Sequence, residues 1–323
     1  MKKIAVVGPI PRDTIITHHK ERIQKYGCIT HPCIALAKLM QDSGSVFPIA
    51  HVHKKDMTPI AELFSKFPAI DMRGVDDSKD MGTVIALEFI DQNNRLEKQT
   101  AFMNPILPKD VEGFLDVDAF VMVPITDFEI SLDTLKYIKA NSKAKIIFDA
   151  HGATTCLTIN GDRLRRFWAE RDEWLPYIDV LKMNLEESQC CWFQNEYQLE
   201  DMTSYDDSKT DHLDEFAEHV LNQGTQSLFV TLDAHGCVGY HREHGTTQKH
   251  FTKSIDVQEV IDTTGCGDSF AGGLAYGLVY HNSLKKAAEF ANILGGLRTQ
   301  GKTYEVFKNQ KQTEQIQKKF YSE

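Results

Sequence analysis

The strongest constraint on this chain is a rhythm. Short apolar runs stand at residues 3–7 (KIAVV), 45–50 (SVFPIA), 119–124 (AFVMVP), 145–149 (KIIFD), 179–183 (DVLKM) and 227–232 (SLFVTL). Unbroken apolar runs of this length suit strands covered on both faces, the condition of a parallel sheet. Between them, residues 33–41, 60–67 and 215–223 repeat apolar side chains at i, i+3 and i+4, the period of one helical face. Strand and helix in repeated alternation predict an α/β fold around a mostly parallel sheet. A length of 323 residues leaves one large domain or two small ones open, because a core keeps growing to roughly 250–300 residues before chains divide.

One segment breaks the rhythm. After Gly82 the chain reads TVIALEFI, DQNN, RLEKQTAFM: two β-rich arms around Asn93-Asn94, a hairpin with a polar turn. A hairpin inserted in such an alternation stands off the main sheet, so residues 10–27 and 74–104 are expected to form a small β lid. Residues 195–214 are acidic and poor in apolar side chains, which predicts a solvated loop. The tail from residue 308 onward reads as a polar surface helix.

Composition removes several function classes. Lys plus Arg number 36 against 46 Asp plus Glu, a formal charge of −10, which argues against nucleic-acid binding through a broad basic face. The first apolar run, Ile4 to Val7, is too short for a secretion signal, and no stretch approaches the roughly 18 apolar residues that span a bilayer. No membrane partner and a cytoplasmic location are the expectation. Seven cysteines without C-x-x-C spacing are read as reduced thiols. The histidine pairs His18-His19 and His51-Val52-His53 lack the one-turn spacing beside a carboxylate that a zinc helix uses.

The stretch DTTGCGDSFAGG, residues 262–273, carries the chemistry. Residues 254–261 before it read as extended, and residues 269–281 after it form a helical face. The junction therefore offers free amide groups at a helix N-terminus, with Gly265 and Gly267 leaving room for an anion to approach. A carboxylate there would repel a phosphate unless it faces an incoming hydroxyl, which is what phosphoryl transfer requires of a base. Asp268 is equally a favourable charge in a helix's first turn, with Gly272-Gly273 serving packing. A dinucleotide fingerprint would need a further strand, whereas the chain beyond Gly273 reads as helix.

DTTGCGDSFAGG resembles the D-T-x-G-A-G-D signature of the ribokinase-like (PfkB) family of sugar and nucleoside kinases, with Cys266 where that family carries Ala. FDAHGATTCL and YIDVLKMNLEES are similar to the stretch leading to its N-x-x-E motif, met here as Asn184-Leu185-Glu186-Glu187. VTLDAHG (230–236) resembles its T-L-G-x-x-G nucleotide turn, and MGTVIAL (81–87) the opening of its lid hairpin. The matches follow the family's order along nearly the whole chain. The resemblance implies a single domain, residues 1–323, of three-layer α/β/α architecture with a mostly parallel central sheet, a small β lid, and ATP with Mg²⁺. It implies Asp268 as the base, with the amides of Gly265, Cys266 and Gly267 as the anion hole. Asn184 and Glu187 would reach Mg²⁺ through water, Thr231 and Gly236 would line the nucleotide, and Asn292 would border the adenine. Asp262 and Thr264 match positions that hold a monovalent cation, K⁺, in that family.

The acceptor half departs further. Asp13 stands where the family's acid binds acceptor hydroxyls, and Gly27 survives of a glycine pair whose other member is Tyr26. His31 takes the place of an asparagine and is expected to read the acceptor. Asp233 replaces a turn glycine, and His151 stands near a usual Asn. A small sugar or nucleoside is the expected partner, with lid edges open to pairing with a second copy. The competing hypothesis is a non-catalytic sensor on the same scaffold.

Overall fold

The strand Lys2–Val7 is apolar from Ile4 to Val7 and fully buried there, so it can only lie in the middle of a sheet covered on both sides. In the structure, a computed structural model that describes residues 1–17, 19–90, 95–192 and 209–322, it pairs in parallel with Gly44–His51 and with Ala119–Met122. Lys145–Asp149, Val180–Asn184 and Ser227–Thr231 extend the parallel sheet on the Ala119–Met122 side. Beyond them the antiparallel strands Gly236–Glu243 and Thr246–Lys253 close that edge. The six apolar runs are six of the seven inner strands, with ends that differ by two residues at most.

Alternation along the central strand assigns the two outer layers. Ile4 and Val6 face a core shared with the helices Thr30–Met40, Cys266–His281 and Leu284–Arg298. Ala5 and Val7 face a second core with Leu132–Asn141 and Leu213–Asn222. The architecture is three-layer α/β/α. Gly273 and Gly277 let the helix Cys266–His281 approach its neighbour closely, for a β-carbon at either would collide with the backbone of Ala291 or Ala287.

Helix starts were the least legible feature. The helix expected from residue 60 begins at Lys54 and runs through Pro59, because the His53 side chain caps it by accepting from the Lys55 amide at 3.1 Å. The helix expected from residue 33 begins at Thr30, which puts His31 in its first turn. The tail helix Gln310–Tyr321 is polar, yet it buries Thr313 and Gln317, the latter donating to Glu289 at 2.7 Å.

The lid is a four-stranded sheet ordered Arg22–Tyr26, Arg12–Ile16, Val84–Phe89, Arg95–Ala101. Its second segment starts later than expected: Gly74–Asp76 pairs in parallel with Ile49–His51 and is the edge of the central sheet, not lid. Along the outer side of Arg95–Ala101, Lys98 bridges to Asp162, so that edge is partly covered. The turn Asn93-Asn94, His18 and most of the acidic stretch 195–214 lie outside the described residues. Among the described residues no helix is long and apolar enough to cross a membrane.

Candidate active site

Gly265 caps the helix Cys266–His281 with φ at 82°, a left-handed conformation that glycine adopts without strain. A β-carbon at Gly265 would collide with the His31 ring. Among the described residues the amides of Gly265, Gly267 and Asp268 have no backbone acceptor, whereas the Cys266 N–H turns to the Thr263 carbonyl at 3.2 Å. The three-amide anion hole expected from the sequence is therefore corrected. Cys266 is spent on the turn, the Gly267 amide turns to the Cys266 thiol, and the amides of Gly265 and Asp268 have no backbone acceptor among the described residues. Burial pushes the Cys266 thiol up, against Lys182, so the helix N-terminus does not activate it. At Gly267 a β-carbon would meet only the Lys182 amine, 3.0 Å away. The glycine keeps clear a space that an ammonium already faces.

Two carboxyl groups border this space. Asp268 has no hydrogen bond or ion pair among the described residues, and burial, then the charge of Asp149, push it up to about 6 against Lys182, His151 and Arg298. Asp13, 3 % exposed on the lid strand Arg12–Ile16, is pushed up to about 7 by burial; Lys25 opposes the rise and Asp268 adds to it. Among the described residues one Asp13 oxygen is buried without a partner, and its other oxygen occupies the space that a β-carbon at Gly27 would take. Gly27 thus seats the Asp13 carboxyl. Gly27→Ala is expected to displace that carboxyl and raise the acceptor KM at least about tenfold while donor binding holds, the scale on which an unpaired polar group is felt. Steady-state kinetics with each substrate varied in turn would show it, and an unchanged acceptor KM would dismiss the seat.

Beneath the loop, Lys182 donates to Asp149 at 2.7 Å, both side chains buried. Asp149 holds Lys182 charged despite the burial that opposes it. His151 links this pair to the N-x-x-E segment: its backbone N–H donates to Asp149 at 3.1 Å and its Nδ1 meets Glu187 at 2.8 Å. Its Nε2 lies 3.1 Å from Arg163 Nη2, which can only donate, so the His151 proton sits on Nδ1. Asn184 and Glu187 form a reciprocal helix cap, Asn184 Oδ1 accepting from the Glu187 amide at 2.7 Å and Glu187 accepting from the Asn184 amide at 2.8 Å. Burial works against the charge on Glu187, but His151, Lys182 and Arg165 hold its carboxyl well below the usual range.

That donor set bears on the metal. Among the described residues no three His, Cys, Asp or Glu side chains are grouped to hold an ion directly. Both Glu187 oxygens are engaged within the chain but ionised, which fits Mg²⁺ arriving on phosphates with its water shell and reached from outside that shell.

At the turn expected to line a nucleotide, Asp233 has φ at 48°, which explains why a turn glycine suits this position and why Asp, tolerant of that region, can replace it. Gly236, at φ 120°, is required because a β-carbon would strike the Thr252 carbonyl. Thr231 closes its strand, half-buried. Asn292 is buried and donates to the Thr252 carbonyl at 3.1 Å, tying its helix to the antiparallel hairpin.

Below Gly265 the expected cation site is differently made. Asp262 accepts from the Thr264 amide at 2.9 Å through one oxygen. Its other oxygen takes Lys25 at 2.8 Å and Arg298 at 2.7 Å. With both Asp262 oxygens committed, only Thr264 Oγ1, buried without a partner among the described residues, is left to meet an ion, and one hydroxyl does not make a monovalent-cation site. His31 accepts from Arg298 Nε at 3.1 Å through Nδ1, leaving the proton on an Nε2 that is buried against the loop without a partner among the described residues.

Lys182, Asp149, Arg163, Lys25 and Arg298 were not found by sequence reasoning. Lys182 and Asp149 carry a signal, as charges within the apolar runs DVLKM and KIIFD; a buried charge in such a strand must have a partner.

A family model described as pfkB family carbohydrate kinase matches residues 112–304. The curated mouse protein named ribokinase is 31% identical over 113 residues, covering 34% of this chain and 33% of that one. The chain thus spans about a third of the length of that relative. Among solved structures, ribokinase of Arabidopsis thaliana complexed with ribose and ATP is similar at a TM-score of 0.74 and 17% identity, covering 98% of this chain and 99% of that one. A Burkholderia thailandensis nucleoside kinase in complex with inosine gives 0.73 and 16%, covering 99% of both chains. The two structures share the fold; the family model spans more than half of the chain and includes the anion loop, and by it the protein belongs to the pfkB family of carbohydrate kinases.

Proposed function

We propose that the protein transfers the γ-phosphoryl of ATP to a hydroxyl of a small carbohydrate or nucleoside. One observation carries this reading: an uncommitted Asp268 carboxyl stands beside free loop amides and a glycine-cleared space that Lys182 faces. Asp268 accepts the proton of the attacking hydroxyl. The amides of Gly265 and Asp268 stabilise the charge that grows on the transferred group, the kind of donor whose loss costs about 10²–10³ in rate. Lys182 screens the phosphates, and Asp13 accepts hydrogen bonds from the acceptor's hydroxyls. Bound Mg²⁺ would neutralise phosphate charge, with Glu187 and Asn184 meeting its water shell.

The solved relatives support the substrate class, since one binds ribose with ATP and another inosine. A panel of sugars and nucleosides incubated with ATP and Mg²⁺ tests the proposal. Product from any of them supports it, and tight binding without product turns the reading to a sensor.

Both acids act as carboxylates, so pH should govern the rate. With Asp268 held at about 6 and Asp13 at about 7, kcat/KM is expected to fall as pH drops through that window, approaching tenfold or more per unit at its acid end. A profile flat from about pH 5 to 8 would remove both roles.

A further inference from the structure

The residues under the anion loop suggest why a cation site was expected there and is not made. Arg298 ends the helix Leu284–Arg298 and is 1 % exposed. Its guanidinium donates through Nη2 to Asp262 at 2.7 Å, through Nη1 to the Gly301 carbonyl at 2.6 Å and through Nε to His31 at 3.1 Å. Lys25 reaches Asp262 from the lid at 2.8 Å. The Thr299 carbonyl, which also faces this turn, receives the amides of Ile261 and Asp262 at 2.7 and 3.2 Å. A carboxylate and carbonyls of the kind a desolvated alkali ion would collect are thus taken by two fixed cations and by backbone donors. Asp262 faces both cations and Asp13 also faces Lys25, so the charge that Arg298 carries sits behind Gly265, linked to the loop through the Asp262–Thr264 turn and the His31 ring.

We propose that Arg298, assisted by Lys25, is a tethered replacement for a dissociable monovalent cation, so that the anion loop is ordered and charged without K⁺. This rests on the phosphotransfer reading for its consequence on rate, but not for its test by ion binding. Arg298 is a positioning residue, acting through Asp262 and His31. A guanidinium suits the task because it stays charged when buried and spreads its donors in a plane.

The wild-type protein is assayed for thermal midpoint and turnover in KCl, NaCl and choline chloride at equal ionic strength, and its crystals are soaked in thallium(I), a K⁺ mimic. The midpoint and turnover are expected to agree across the three salts, with no thallium at Asp262. A bound thallium there, or a saturable K⁺ activation of about tenfold, overturns the proposal. In Arg298→Ala the vacated ligands should bind thallium, and K⁺ rather than choline should raise the midpoint by about 2–4 °C, the linkage expected at roughly ten times Kd. Turnover should fall about 10–100-fold, the cost of a displaced catalytic loop, and recover in part with K⁺ or added guanidinium. Should that variant not fold, Arg298→Gln keeps the planar shape without the charge and is read in the same way. A folded variant with no K⁺-specific response overturns the proposal even if the protein phosphorylates nothing, whereas absence of product alone refutes only the kinase reading.

Discussion

Asp268→Asn is expected to bind ATP as before and lose about 10²–10⁴-fold in turnover, the usual worth of a general base. The same substitution should raise stability. Burial and Asp149 push the Asp268 carboxyl up to about 6, so the folded protein holds this proton more tightly than the unfolded chain does. That contribution is present at acid pH and is lost as pH rises from about 4 to about 6. At pH 8 the wild type therefore carries a buried charge that asparagine does not. The variant should be more stable by about 1–3 kcal/mol, one pKa unit being worth about 1.4 kcal/mol. Kinetics and a denaturant titration at pH 8 check the pair of effects together. Loss of activity with loss of stability would mean a damaged fold, and unaltered turnover would remove Asp268 as the base.

Lys182→Met should have the largest effect on folding. It leaves Asp149 buried without its partner at 2.7 Å, and breaking such a pair from one side costs about 3–5 kcal/mol. For a chain of this size the melting temperature should drop by roughly 6–15 °C. The donor KM should rise as well, because the amine also faces the space in front of Gly267. Asp149→Asn combined with Lys182→Met should regain most of the stability but not the donor affinity, since the two sites are coupled through one contact. If the single variant melts like the wild type, the pair does not support the fold beneath the loop; if donor affinity is unchanged, Lys182 does not screen phosphate.

What could be read from the sequence was local. The inner strands announce themselves because a segment buried on both faces must be apolar throughout. The loop at residues 262–268 announces itself because glycines beside an acid at a helix start have few other uses. Contacts made by topology left no such trace. Lys25 and Asp262 are 237 residues apart, and His31 and Arg298 are 267 apart. Each of these charges, taken alone, reads as part of a polar face. The role expected of Cys266 failed on a detail of turn geometry, the direction of one N–H, which residue identity does not encode. Gly74–Asp76 gives no sign in the sequence that it belongs to the central sheet, because a three-residue edge strand has no apolar run to mark it.

The two glycines that bring the helices Cys266–His281 and Leu284–Arg298 into backbone contact also settle which wall of the cleft is held fixed. With no side chain between them at Gly273 and Gly277, the helices have little slack for sliding or rotation. Asp268 at the head of one and Arg298 at the tail of the other therefore belong to a single stiff block. The opposite wall is the lid strands Arg12–Ile16 and Arg22–Tyr26, and Lys25 ties them to that block through Asp262 at 2.8 Å. In the proposed reaction the acid that meets the acceptor stands on the lid and the base stands on the block, so the spacing of the two carboxylates depends on how firmly that tie is held.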